Sequence, residues 1–419
     1  MTTTASSVAT AEGTKTSESP TPLNAEAKPT WRNRVAFLAP PVVTYLISTG
    51  VFWLFAALSG ATFFSTADRF RWDSFHYLNI ARNGYEMFRC GDRFPNHYRP
   101  DIWCGDAAWF PLYSMVVRAV SALGFSYEMS AVLVTEISLL GMFIALWWLL
   151  GAQLNVATTL CLALAIVFPG SIYFHAAFPI ALGTLGLLAC LIGIKKDSWW
   201  IAGLGAAVAS STHLVGAVSI GVLALSAVFA WQSHHWPVRI AKAAGAAAIG
   251  ALGLLWTGWL MYQGTGRWDA YSETQRVSYG QGDVKNPFTS LKVFYDYQLP
   301  TPAEGTGGPL TSGITEVLRD QLTLNIALMA LVILVTGIRV WKHRRLDAVD
   351  CAALLITIAI FVMPFFGGAW LSWYRNHAQM FVALVLLRDA PRWVQGLLIA
   401  VCAMVTATLS AGFFYGSLV

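Results

Sequence analysis

Apolar stretches long enough to cross a hydrocarbon layer recur along this chain, at 36–58, 130–150, 176–194 and 393–415 among others. A helix needs roughly 20 such residues to cross a bilayer core. Inside that layer the backbone must satisfy its own polar groups, which leaves helices or closed barrels as the only spanning forms. Continuous runs of this length read as helices. Composition points the same way: of 419 residues, 56% are hydrophobic and only 12% charged, against about 25% charged in soluble domains. Lipid must solvate the outside. Length alone would accommodate two or three soluble domains, but the runs predict one all-α polytopic body over residues 31–419. Residues 1–30, rich in Thr, Ser, Ala, Glu and Pro, read as a disordered cytoplasmic tail. The first apolar run begins near Val35, has no small-residue cleavage site and reads as a retained span rather than a signal peptide.

Lys and Arg in short loops set the orientation, because they accumulate on the cytoplasmic side. Arg32 with Arg34, Lys195 with Lys196, Arg239 with Lys242, the group Arg339, Lys342, Arg344 and Arg345, and Arg388 with Arg392 belong on one side. About eleven spans satisfy this, at 36–58, 130–150, 156–172, 176–194, 199–213, 215–231, 242–262, 320–338, 349–368, 376–390 and 393–415. Segment 108–124 is apolar enough to suggest another. Counting it would put the preceding loop on the wrong side, and Pro111 and Arg118 suit an amphipathic surface helix better. Two long extracytoplasmic segments follow, 61–129 and 263–319, each of balanced charge.

The first outer loop carries the chemistry. It reads Arg69-Phe70-Arg71-Trp72-Asp73-Ser74-Phe75-His76-Tyr77-Leu78-Asn79-Ile80-Ala81-Arg82-Asn83-Gly84-Tyr85 and continues to Ala108-Trp109-Phe110-Pro111-Leu112-Tyr113. From Asp73 the pattern predicts a short helix that Gly84 terminates. A carboxylate at its start, flanked by Arg71 and His76, suits a general base for a hydroxyl nucleophile, and arginine forks suit a phosphate. The competing account is helix capping by Asp73, with the arginines on lipid headgroups. Cys90 and Cys104 both lie in this loop; a disulfide in an oxidising compartment and two free thiols stand as alternatives. Cys161, Cys190, Cys351 and Cys402 read as packing residues. His175 and His213 fall at outer span ends, where packing or backbone bonding is the simpler role. Trp103, Trp109, Trp268, Trp370 and Trp373 suit either sugar stacking or an interfacial belt. No acid, His or Cys cluster has metal-ligand spacing. The glycines at 264–266 and 305–308 lie outside any strand-to-helix setting, so neither reads as a nucleotide site. Nothing points to nucleic acid.

The run Trp72-Asp73-Ser74-x-His76-Tyr77-Leu78-x-Ile80-Ala81-x-x-Gly84-Tyr85, followed by Trp109-Phe110-Pro111-Leu112-Tyr113, resembles the PIG-V-like mannosyltransferases, bacterial branch, of the GT-C superfamily of polytopic glycosyltransferases. Phe168-Pro169-Gly170-Ser171-Ile172-Tyr173-Phe174, His175-Ala176-Ala177-Phe178, Thr212-His213-Leu214-Val215-Gly216, Arg267-Trp268-Asp269-Ala270-Tyr271 with Gln275, and Trp373-Tyr374-Arg375 extend the likeness. The chain departs from it at Ile180, where the family has Glu, and at His213, where it has Arg.

The resemblance implies a GT-C-like fold and transfer of mannose, with inversion, from polyprenyl-phosphate mannose to a lipid- or cell-envelope-linked glycan acceptor. It makes Asp73 the general base. It places Arg71, Trp72, His76, Tyr77, Gln275, Arg276 and Arg375 around the substrates, with Arg71, Arg375 and then Arg276 as candidates for the donor phosphate. No cofactor is implied. The partners are the donor, a glycolipid or glycan acceptor and membrane lipids. Rival readings are transfer of another polyprenyl-phosphate sugar, an inactive homologue serving as a scaffold, and a transporter or flippase of lipid-linked sugars. A transporter would need polar groups through the spans, where Glu136 is the main mid-span acid.

Overall fold

The computed structural model describes residues 31–96, 99–226, 234–278, 286–290, 314–343, 346–367 and 373–416. The tail at 1–30, the greater part of the second outer loop, including the glycines at 305–308, and Trp370 lie outside the described residues. Helices dominate: α1 (Trp31–Leu58), α2 (Ser74–Asn83), α3 (Pro111–Ser121), α4 (Tyr127–Leu149), α5 (Val156–Ile166), α6 (Ile180–Lys195), α7 (Trp199–Thr212), α8 (Val218–Leu225), α9 (Trp236–Thr265), α10 (Ile314–His343), α11 (Ala348–Gly367), α12 (Trp373–Ala378) and α13 (Arg392–Phe414). The chain is an all-α polytopic membrane protein. Six of the described helices are long and apolar enough to cross a membrane, within α1, α4, α9, α10, α11 and α13.

The remaining expected spans are shorter or broken. The segment expected at 156–172 is helical only to Ile166 and resumes as a 3-10 turn at Ser171–Phe174. The segment expected at 376–390 is a chain of short pieces: α12, a 3-10 turn at Gln379–Ala383 and a final turn at Leu384–Leu387. Residues 376–387 of that stretch are all buried. Protein, not lipid, surrounds them, and irregular backbone at membrane depth is tolerated only in such surroundings. By contrast, only 28% of the spanning window in α1 and 22% of that in α9 is buried, against 56% in α4. α1 and α9 therefore lie at the lipid-facing perimeter and α4 in the centre.

Helices α6, α7 and α9 pack through small residues, the usual device where lipid offers no hydrophobic driving force. A Cβ on Gly205 would lie 2.3 Å from the Cys190 nitrogen, and one on Gly253 would lie 2.4 Å from the Ala207 carbonyl oxygen. Only glycine permits these approaches. Ser210 then donates from its hydroxyl to the Gly250 carbonyl across the α7–α9 contact, 2.8 Å.

The two ends of the helices differ in charge. α9 has 30 residues, about 45 Å at 1.5 Å per residue. Near its start Lys242 and His234 meet Asp197 at 3.1 and 2.7 Å, while Gly264 at its far end packs against Tyr85 of the first outer loop. α4 repeats the pattern: Glu128 at its start pairs with Arg82 of that loop, and the Leu149 carbonyl at its end accepts from Lys195 Nζ at 3.0 Å. Basic turns thus gather at one end, and the first of the two segments expected outside, with residues 266–278 of the second, at the other. The described parts of the two segments expected outside also touch each other, through an edge-to-face contact of Phe110 with Tyr271 and a bond from Gln275 Nε2 to the Ala108 carbonyl, 3.4 Å.

The first outer loop is compact. Gly84, at φ 83°, ends α2. Two short strands, β1 (Met87–Arg89) and β2 (Trp103–Gly105), pair antiparallel with Phe88 opposite Cys104. Cys90 and Cys104 are joined as a disulfide across this hairpin. α3 has 11 residues, about 16 Å, far short of a hydrocarbon core of about 30 Å. Arg118 of α3 donates to the Ile80 and Ala81 carbonyls near the end of α2, 3.1 and 2.6 Å, where a cation suits the helix dipole. Closing a loop of this size by a disulfide stabilises by about 3 kcal/mol. Cys90→Ser is therefore expected to speed proteolytic cleavage between residues 86 and 106 about tenfold or more, with the transmembrane helices still resistant; an unchanged cleavage rate would count against that role for the bridge.

Candidate active site

Asp73 stands at the turn into α2. The preceding Trp72 has φ 45°, a left-handed conformation that costs a bulky residue about 1–3 kcal/mol and concentrates at functional sites. The strained turn leaves the Trp72 ring half exposed. Asp73 occupies the capping position of α2, yet its side chain makes no capping bond. The capping account fails because the carboxylate is engaged elsewhere. Asp73 Oδ2 lies 2.5 Å from Arg375 Nη1, with the side chains 23% and 11% exposed respectively. The Trp109 indole N–H is a second donor to the same carboxylate.

Arg375 arrives from the other end of the sequence, on α12. The turn at Gly170 makes room for it: with φ 80°, a Cβ there would lie 2.8 Å from the Tyr374 carbonyl oxygen and 3.0 Å from the Ala378 Cβ. The guanidinium sits 5.1 Å from the centre of the Phe178 ring, a cation–π distance. Burial by itself would raise the Asp73 pKa, but Arg375, the Trp109 N–H and the nearby His76 outweigh it and hold the carboxyl below the usual range. Burial opposes the charge on Arg375 too, and Asp73 more than restores it. Both groups are charged at neutral pH.

The other expected site residues separate into near and far. His76 belongs to the site but pairs with Asp106, not Asp73: its Nδ1 lies 2.7 Å from Asp106 Oδ1, and its ring stacks on Trp109 with centroids 3.5 Å apart. Tyr77 is buried against Tyr113, edge to face at 5.6 Å, and burial raises its hydroxyl pKa. Gln275 reaches the site's rim through Ala108, whereas Arg276 is exposed and bonds Glu273 at 2.8 Å. Arg71 has a structural post. Its guanidinium donates to the carbonyls of Ala67, Phe70, Phe413 and Phe414 at 2.8–3.1 Å. It fastens the loop to the carbonyl end of α13, where a cation is favoured, and those bonds leave it little capacity to hold a phosphate.

The sequence assigns no site role to Asp106 or Phe178, and for Trp109 it allows either a belt or sugar stacking. Asp106 is one of seven acids in 61–129, and its only local signal is its place directly after Gly105. A second buried cluster adds to an expectation. His175 packs against Phe52 and Phe63 as expected, and in addition places Nε2 2.9 Å from Ser48 Oγ and Nδ1 3.2 Å from Glu136 Oε1. Arg69 joins it, donating to Glu136 and to the His175 carbonyl. A mid-membrane carboxylate is costly unless paired, and this pairing ties the loop to α1 and α4. His213 behaves as expected, its Nδ1 accepting from the Val215 N–H at 3.3 Å. Among the described residues no group of three or more His, Cys, Asp and Glu could hold a metal ion.

An ionised carboxylate, a fixed guanidinium and an aromatic wall can together bind a hydroxyl compound and an anion side by side. No family model matches the chain, and no curated protein matches it. Solved structures that it resembles include the oligosaccharyltransferase of Archaeoglobus fulgidus tethered to an acceptor peptide, at 12% identity and TM-score 0.45. The same protein in its apo form, at 13% and 0.45, and the archaeal oligosaccharyltransferase AglB from Archaeoglobus fulgidus with an inhibitory peptide and a dolichol-phosphate, at 11% and 0.45, also match. In each case 92% of this chain is covered but only 56% of the other, so the chain spans little more than half the length of those proteins.

Proposed function

We propose that the protein is a GT-C-type membrane glycosyltransferase that moves mannose, with inversion, from polyprenyl-phosphate mannose to a hydroxyl of a lipid- or cell-envelope-linked glycan. The observation that carries this reading is the contact of Asp73 with Arg375. Asp73 lies in the motif that resembles PIG-V-like mannosyltransferases, and Arg375 in a distant segment that shares the likeness. Asp73 is the base: ionised at neutral pH, it takes the acceptor proton as the oxygen attacks the anomeric carbon and the bond to phosphate breaks. Arg375 holds the leaving phosphate as its charge develops, the kind of preorganised contact whose loss costs about 10²–10³ in rate. Phosphate leaves without protonation, so a single carboxylate suffices, unlike the paired acids of glycoside hydrolases. The site belongs to the extracytoplasmic side, opposite the basic turns, where the Cys90–Cys104 disulfide is also stable.

A transporter finds less support, because the mid-span acid it would use, Glu136, is engaged by Arg69 and His175. The test is transfer by the purified full-length chain. Citronellyl-phosphate mannose, a short polyprenyl-phosphate donor, should label octyl α-mannoside, and GDP-mannose should not. Label entering only from a donor carrying another sugar would keep the transferase and overturn mannose. Labelled lipid crossing vesicle membranes with no glycoside formed would favour the transporter.

A further inference from the structure

The outer loop builds a second polar unit beside Asp73 and Arg375. Asp106 directly follows β2 and is 3% exposed. One of its oxygens meets His76 Nδ1 at 2.7 Å, and the other accepts from Asn79 Nδ2. Asn79 in turn accepts from Asn83 Nδ2 at 2.7 Å, which fixes its amide with nitrogen toward Asp106. A carboxylate only accepts, so Nδ1 of His76 carries the hydrogen. In the neutral ring Nε2 is then a lone-pair acceptor.

The ring's plane is set as firmly as its tautomer. It lies on Trp109 at an interplanar angle of 11°, and the same indole donates its N–H to Asp73. One tryptophan thus positions both His76 and the proposed base. The His76 side chain is 37% exposed while the Asp106 side chain beneath it is 5% exposed, so the ring is accessible and its anchor is not. Among the described residues no protein group bonds Nε2.

We infer that Asp106 and His76 form the acceptor subsite: His76 Nε2 accepts a hydrogen bond from a hydroxyl of a sugar or other polyol, and Asp106 is the positioning residue that holds the required tautomer. The inference rests on the transferase reading and names the chemistry of its acceptor. A lone pair backed by a carboxylate favours groups that bring a hydrogen and disfavours the ionised phosphodiester, which brings only oxygens and negative charge. Substrates are thereby sorted, with hydroxyls at His76 and phosphate at Arg375. The alternative use of such a pair, holding the loop together, needs the Nδ1 bond alone and leaves the accessible nitrogen without a task.

The test uses the purified full-length protein with citronellyl-phosphate mannose as donor and octyl α-mannoside as acceptor. Asp106→Asn and His76→Gln are each expected to raise KM for octyl α-mannoside about tenfold, the worth of one hydrogen bond of about 1.4 kcal/mol. KM for the donor should stay within about twofold by the same measure, and the double variant should be no worse than either single one. Nitrogen NMR of histidine-labelled protein, with the His76 signal assigned by its loss in His76→Gln, should show Nε2 unprotonated in the wild type and a mixture of tautomers in Asp106→Asn. A hydrogen on Nε2 in the wild type overturns the inference, as does an equal rise in both KM values. If Asp106→Asn does not fold, the more exposed His76→Gln decides the KM comparison. Wild-type transfer with unaltered acceptor KM in both variants removes this subsite and leaves the transferase standing. A wild type that transfers no sugar removes both.

Discussion

Asp73→Asn is expected to lower transfer about 10³-fold or more, the range for loss of a positioned base, equivalent to about 4 kcal/mol in the barrier. The effect on folding has to be separated from this, because Asp73 is also the counter-charge of Arg375. Removing one partner of a buried pair strands the other, at about 3–5 kcal/mol when burial is complete. Asp73 is 23% exposed and asparagine keeps an acceptor oxygen, so the cost here is expected at the lower end of that range or below it. The double variant Asp73→Asn with Arg375→Gln removes both charges and should recover much of the lost stability without recovering activity, which thermal unfolding in detergent and the transfer assay would read separately. If Asp73→Asn retains more than about a tenth of wild-type turnover, Asp73 is not the base, since positioned bases contribute at least about 10²-fold.

Arg375→Gln carries the second large effect, and its direction with pH is distinctive. The first influence on Asp73 is burial, which raises its pKa; Arg375 is the leading influence that lowers it. With the guanidinium gone, burial prevails and the carboxyl titrates at higher pH. A group whose folded pKa is depressed contributes stability above its unfolded value and loses it as pH falls through the folded value. Wild-type protein should accordingly hold both stability and activity to below the usual carboxylate range, while the Arg375→Gln variant should lose activity at higher pH. Its donor KM should rise and its turnover fall about 10²–10³-fold, because the guanidinium also holds the phosphate. Arg71→Ala is the contrast: with its donors on backbone carbonyls of the loop and α13, it should reduce stability with donor KM nearly unchanged. A shift in donor KM for Arg71→Ala as large as that for Arg375→Gln would return Arg71 to the phosphate site.

The helical membrane class was legible because the bilayer imposes length and polarity on each segment separately, so a run of apolar residues announces itself without reference to its neighbours. The demotion of 108–124 was legible for a similar reason: Pro111 and Arg118 are local signals, and the segment is an 11-residue helix. The interior stretch 376–387 escaped, since a broken segment wrapped in protein has the same apolar composition as a continuous span in lipid. The pairing of Lys242 and Arg339 with acids and of Lys195 with the Leu149 carbonyl at the basic end likewise depends on contacts that no short window contains.

Asp73 and the loop around it could be picked out from sequence, because a turn, a short helix and its glycine stop are written in consecutive residues. Its role could not be separated from capping on that basis. Only the tertiary structure brings Arg375, Phe178 and Trp109 to it, assigns His76 to Asp106, and turns Arg71 toward the end of α13. The physical reason is the range of the forces involved: helix length and turn chemistry are local, whereas an ion pair joins whichever residues the packing of distant helices leaves about 3 Å apart.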